Sequence, residues 1–109
     1  LGDVVVAHAG LRPGVPLSEQ SRVDLLKIKT INGQPDGAMW WESYDGREKV
    51  VFGHHVFRDP LCLPKAIGID TGCVYGGRLT AITLESGVFT SVRARATYYR
   101  HPGKAYLFE

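Results

Sequence analysis

Two histidines occupy matching positions in this sequence, because each directly follows a short apolar run. His8 ends the run that begins at Val4, and His54 ends the run that begins at Val50. Runs of β-branched and aromatic residues predict buried strands, and the loop after a strand often carries a functional side chain. Imidazole is the commonest metal ligand in proteins. Two strand-end histidines that converge at one sheet edge would form half of a metal site.

A carboxylate ends a third apolar run, which extends from Ala66 to Asp70. A carboxylate near ligating imidazoles can fix their tautomer and orientation. The alternative is that Asp70 caps the turn that begins at Thr71. His55 is adjacent to His54 and points to the opposite side of an extended segment, so we do not expect both on one metal ion.

Composition restricts the class of protein. The chain has 109 residues, 44% of them hydrophobic and 22% charged, which is typical of one globular domain. The net charge of +2 argues against a nucleic-acid partner, although a basic end from Arg93 to Lys104 contains two tyrosines. Neither a membrane-spanning run nor a secretory signal is visible, and Cys62 and Cys73 do not form a C-x-x-C motif. We expect a cytoplasmic protein with no membrane partner and with reduced thiols.

Local patterns predict a fold rich in strands. Ser18 is the expected N-cap of the one clear helix, which is expected to end near Lys29. The segment 56–64 is expected to be a loop, and residues 98–108 a possible edge strand. Alternation in 78–84 and 88–96, around Glu85-Ser86-Gly87, predicts an antiparallel hairpin. The glycine-rich segment 72–77 lacks the helix and the Lys-Ser/Thr of a phosphate-binding loop. The expected fold class is α+β.

In combination, these residues resemble the C-terminal half of the calcineurin-like metallophosphoesterases. The bacterial PPP-type branch, with its lambda-type Ser/Thr protein phosphatases and diadenosine tetraphosphatase-like enzymes, is the most similar. The matching stretches are Val5–Gly14, Gln20-Ser21 with Asp24–Leu26, Val51–His54 and Ile69–Ala81.

The resemblance implies an α/β/β/α sandwich with two metal ions about 3.5–4 Å apart that activate water for attack on phosphorus. It implies that His8 and His54 ligate the second metal ion and that Asp70 is a catalytic residue near the site. It also implies that Arg12 and Tyr75 bind substrate. Manganese is the expected metal, and iron, zinc and nickel remain open.

The motifs of the family's first half, G-D-x-H-G, G-D-x-x-D-R-G and G-N-H-E, do not occur in this chain. We therefore expect residues 1–109 to be a partial metallophosphoesterase domain that is inactive without an N-terminal half. The start at Leu1, directly before a predicted strand, also suggests a fragment. The expected substrate is a phosphoprotein or a dinucleoside polyphosphate. The alternative is a non-catalytic binding or regulatory domain derived from the same framework.

Overall fold

The computed structural model describes residues 2–103, which divide into two compact units. The first unit comprises the chain up to His55 together with Leu61–Gly68. The second comprises Val56–Pro60 and the chain from Ile69 onward.

The first unit is built on a four-stranded sheet in the order β1-β2-β4-β3. Strand β2 pairs in parallel with β1 and with β4, whereas β3 is antiparallel to β4. The central strand β2 is buried over its last three residues, which explains its continuous apolar run. The strands are β1 (Val4–Ala7), β2 (Lys49–Phe52), β3 (Leu61–Cys62) and β4 (Ala66–Gly68).

The sheet corrects two of the expected boundaries. The segment predicted to be a loop between Val56 and Pro64 contains the two-residue strand β3, because Leu61 and Cys62 pair with β4. Strand β4 ends at Gly68, two residues before the predicted end at Asp70.

Two short helices accompany this sheet, α1 (Arg22–Lys27) and α2 (Trp40–Ser43). The predicted cap at Ser18 is wrong, because Leu17–Glu19 form a separate 3-10 turn. The cap of α1 is Ser21, whose hydroxyl oxygen accepts the backbone N–H of Asp24 at 3.0 Å. Gln20 is extended (ψ 134°) and separates the turn from the helix. The helix also ends at Lys27, earlier than the predicted end near Lys29.

The second unit contains the predicted hairpin, β5 (Arg78–Thr83) and β6 (Val88–Arg93). Its register pairs Leu79 with Val92 and Thr83 with Val88. The second strand ends three residues before the predicted Ala96. Residues 98–103 form no strand, and the remainder of the predicted edge strand lies outside the described residues.

The α+β class, rich in strands and with few helices, is confirmed. It is compatible with the C-terminal half of a phosphoesterase sandwich. Between residues 2 and 103, no helix combines the length and apolar character that crossing a membrane requires.

Candidate metal centre

His8 and His54 lie together at the carboxyl edge of two neighbouring parallel strands. Ala7, the last residue of β1, is in register with Phe52, the last residue of β2. One residue further on, the backbone N–H of Gly53 donates to the carbonyl of His8 at 2.9 Å. The imidazole centroids of His8 and His54 are 5.1 Å apart, with 51° between the ring planes. The structure therefore brings together the two histidines that the strand-end pattern singles out.

The backbone of His54 is unusual, because its φ of +67° lies in the left-handed region. It is the one non-glycine residue between positions 2 and 103 with a positive φ. Such a conformation costs a residue with a Cβ about 1 kcal/mol or more, and it is found preferentially at functional sites. The turn at His54 presents its ring toward that of His8, at the cost of backbone strain.

The spacing of the two rings fits joint ligation of one metal ion. An imidazole nitrogen lies about 1.1 Å from its ring centroid and ligates at about 2.1 Å, which places each centroid about 3.2 Å from the ion. Two ligands about 90–110° apart at the ion would then have centroids about 4.5–5.2 Å apart. The observed 5.1 Å lies within this range. Further ligands are needed to complete a site, since no group of three or more His, Cys, Asp or Glu residues suited to a metal occurs among residues 2–103.

The adjacent histidine has a different neighbour. The ring of His55 contacts Trp41 at a centroid distance of 5.1 Å and an angle of 73°. Trp41 in turn stacks on the buried Phe52 at 5.4 Å. His54 lies against His8 and His55 against Trp41, and the expectation that the two do not share one metal ion stays a prediction.

The loop after His8 is packed against the rest of the unit. Ala9 and Leu11 are buried, with 1% and 2% of their surface exposed. The backbone N–H of Ala9 donates to the carbonyl of Leu25 in α1 at 2.8 Å. Gly10 lies directly against the indole of Trp40, which is completely buried. The backbone that carries His8 is therefore held by α1 and by Trp40.

Arg12 follows this loop and forms a forked ion pair with Asp24. Its Nε donates to Oδ2 at 2.7 Å and its Nη2 donates to Oδ1 at 3.0 Å. Its Nη1 also donates to the carbonyl of Ile31 at 2.9 Å. The hydrogen bond from Arg12 lowers the pKa of Asp24 below its ordinary value, and the same bond raises the pKa of Arg12. Substrate binding by Arg12 stays a prediction, and the described contacts give its guanidinium a structural partner that the sequence analysis did not identify.

Asp70 and Tyr75 both lie in the second unit. The carboxylate of Asp70 accepts the backbone N–H of Gly72 at 3.1 Å, which is the capping contact considered as the alternative above. Tyr75 is partly exposed, and its ring centroid lies 6.2 Å from those of Tyr99 and His101. The catalytic role of Asp70 and the substrate contact of Tyr75 stay predictions.

Sequence reasoning also missed Gln20. Its side-chain oxygen accepts the backbone N–H of Arg12 at 2.8 Å, and its amide donates to the carbonyls of Arg12 and Val15. Gln20 and Asp24 both fall within stretches that match the resembled family, but nothing in their spacing assigned them a partner.

Comparison with known proteins finds relatives among the bis(5'-nucleosyl)-tetraphosphatases. No family model matches the chain. The asymmetrical bis(5'-nucleosyl)-tetraphosphatase PrpE of Anoxybacillus flavithermus is 35% identical over 104 residues, which cover 89% of this chain and 42% of that protein. The symmetrical bis(5'-nucleosyl)-tetraphosphatase of a Janthinobacterium species is 37% identical over 87 residues, covering 76% and 31%. A crystal structure described as that of a candidate diadenosine tetraphosphatase matches with a TM-score of 0.75 and 36% identity, over 84% of this chain and 47% of the other.

These relatives are phosphoesterases, and the resemblance to the C-terminal half of a PPP-type phosphoesterase is confirmed. More particularly, the chain is similar to part of the bis(5'-nucleosyl)-tetraphosphatases. It spans less than half the length of the curated relatives that it matches.

Proposed function

We propose that this chain forms part of the active site of a metal-dependent phosphoesterase that hydrolyses dinucleoside polyphosphates. The observation that carries the proposal is the pair His8 and His54, whose rings lie at ligand spacing beyond the ends of adjacent parallel strands. Ligands of open sheets with parallel strands characteristically bind at the carboxyl ends of the strands. The names of the relatives support the substrate class, and they favour a dinucleoside polyphosphate over a phosphoprotein.

The two histidines would act as neutral ligands through ring nitrogens. The bound divalent ions, manganese first among the candidates, would polarise the phosphoryl oxygen and lower the pKa of the attacking water. The left-handed turn at His54 and the bond from Gly53 to His8 hold the two backbones through contacts of the protein itself. Such preorganisation reduces the entropy cost of binding the ion.

Two histidines alone cannot supply the ligands of a binuclear centre. We therefore propose that this chain is inactive by itself and that an N-terminal half provides the remaining ligands. The predicted roles of Asp70 as an orienting carboxylate and of Tyr75 in substrate binding remain part of this proposal. A nucleotide substrate and the free thiols of Cys62 and Cys73 support a cytoplasmic location.

A chimera tests the proposal directly. The segment of the Anoxybacillus flavithermus PrpE that matches this chain at 35% identity is replaced by this chain. We expect the chimera to hydrolyse diadenosine tetraphosphate with Mn²⁺, to hydrolyse a phosphoserine peptide far more slowly, and to lose activity in EDTA.

Single substitutions supply the control within the same chimera. His54→Ala is expected to lower kcat/KM by at least about 100-fold, the upper range for loss of metal-site support. Arg47→Ala, which changes a side chain that is 85% exposed, should have little effect. A folded chimera that turns over neither substrate with Mn²⁺, Fe²⁺, Zn²⁺ or Ni²⁺ would instead support the non-catalytic binding domain.

A further inference from the structure

Three side chains join the loop after His8 to helix α1. Arg12 forms the forked pair with Asp24, and Gln20 binds both the N–H and the carbonyl of Arg12. Gln20 also donates to the carbonyl of Val15 at 2.9 Å. We call Arg12, Gln20 and Asp24 the loop latch. All three residues belong to the first unit.

The loop that the latch closes has little regular structure of its own. Between the end of β1 at Ala7 and the start of α1 at Arg22, the one regular element is the 3-10 turn Leu17–Glu19. A loop of this length with few backbone hydrogen bonds would sample many conformations. The position of His8, at the start of the loop, would then be poorly defined. The latch supplies fixed contacts at the middle of this loop, and the bond from Ala9 to Leu25 supplies one at its beginning.

The geometry of the pair distinguishes it from an ordinary surface ion pair. The side chains of Arg12 and Asp24 are 36% and 19% exposed, and their contact is bidentate. By contrast, Arg47 and Asp3 approach only to 3.7 Å, with exposures of 85% and 82%. A forked Arg–carboxylate contact fixes direction as well as distance, whereas an exposed single contact contributes little.

We propose that Arg12, Gln20 and Asp24 are positioning residues for His8, and that the loop latch sets the affinity of the His8–His54 pair for a divalent metal ion. The inference rests on the proposed function, since it requires that the two histidines bind metal. It assigns Arg12 a different role from the predicted substrate contact: Arg12 acts through the loop that carries His8.

Metal affinity of the chimera described above is the appropriate readout, because the chimera supplies the remaining ligands and the measurement needs no catalytic turnover. Zn²⁺ alone is titrated by calorimetry into the wild type, Asp24→Asn, Arg12→Met and His8→Ala. We expect about 10-fold weaker binding for the two latch variants, the lower part of the range for groups that orient metal ligands. His8→Ala should abolish binding at this site. Asp3→Asn, which breaks the exposed pair, is the matched control and should bind like the wild type.

Folding of each variant is followed by circular dichroism. Should Asp24→Asn or Arg12→Met fail to fold, Arg12→Lys replaces them, because it keeps the charge but loses the fork. That variant is expected to bind Zn²⁺ several-fold more weakly than the wild type with an unchanged spectrum.

The outcomes separate the two proposals. A folded chimera whose Zn²⁺ affinity is unchanged by His8→Ala would overturn the proposed metal site itself. Wild-type binding together with unchanged affinity in the folded latch variants would overturn only the positioning role. If Arg12→Met also loses ATP binding in that case, the result would favour the predicted role of Arg12 in substrate binding.

Discussion

The sharpest structural prediction concerns Gly10, two residues after His8. A Cβ at this position would overlap with three atoms of the Trp40 indole. Trp40 is completely buried and packs against Trp41, Tyr44 and Phe52, so it cannot move aside without disturbing its neighbours. We therefore expect Gly10→Ala to destabilise the unit that carries both histidines.

Gly14 provides a matched control in the same loop. Both glycines have positive φ values, +153° for Gly10 and +79° for Gly14, so alanine is strained at either position. No atom lies within 4 Å of a Cβ built on Gly14. The difference between the two variants therefore contains the contact with Trp40 together with any difference in backbone strain, and the Trp40→Phe background separates the two. Overpacking a rigid interior typically costs about 1–3 kcal/mol, and we expect Gly10→Ala to exceed Gly14→Ala by that amount.

Urea unfolding followed by far-UV circular dichroism measures both free energies of unfolding. A double-mutant cycle with Trp40→Phe adds an internal check. The smaller ring removes part of the obstruction, so Gly10→Ala should cost less in the Trp40→Phe background than in the wild type. Equal costs for Gly10→Ala and Gly14→Ala, or a cost independent of residue 40, would refute the reasoning.

Three further predictions concern stability and can be measured by urea unfolding. His54→Gly should be more stable than His54→Ala by about 1 kcal/mol, because only glycine adopts φ +67° without strain. This reverses the usual order of the two residues, and the usual order would contradict the left-handed turn. Thr71→Val should cost about 1–3 kcal/mol, because the buried Thr71 hydroxyl donates to a backbone carbonyl and lies 2.6 Å from the Thr80 hydroxyl. Adding Thr80→Val should cost less than the sum of the single changes, and strict additivity would argue against the contact. The stability advantage of the wild type over Asp24→Asn should be full above about pH 4 and should shrink as the pH falls through the lowered pKa of Asp24. An advantage that grows on acidification would contradict the ion pair.

The strands before the two histidines and the hairpin could be predicted because each depends on residues that are close together in the sequence. The apolar runs before His8 and His54 indicated strands, and parallel pairing of these strands places both ring-bearing residues at one edge. The hairpin was equally predictable, because alternation around a Glu-Ser-Gly turn is contained within 16 residues, positions 78–93.

The start of helix α1 depended instead on contacts that are distant in sequence. Ser18 and Ser21 are both suitable caps by residue type. The choice falls on Ser21 because the extended Gln20 directs its side chain to Arg12, eight residues earlier. The partner of Arg12 is likewise unpredictable from spacing, since Asp24 lies twelve residues away across an irregular loop.

The central claim is that His8 and His54 bind one metal ion together, and the four histidines of the chain allow a direct test with internal controls. Zn²⁺ is titrated into the protein labelled with ¹⁵N in its imidazole rings, and the ring nitrogens are followed by NMR. The signals of His8 and His54 should shift together and saturate at one equivalent of metal. Those of His55, which packs on Trp41, and of the exposed His101 should be little affected. A shift of His8 without His54, or equal shifts of all four rings, would contradict the account.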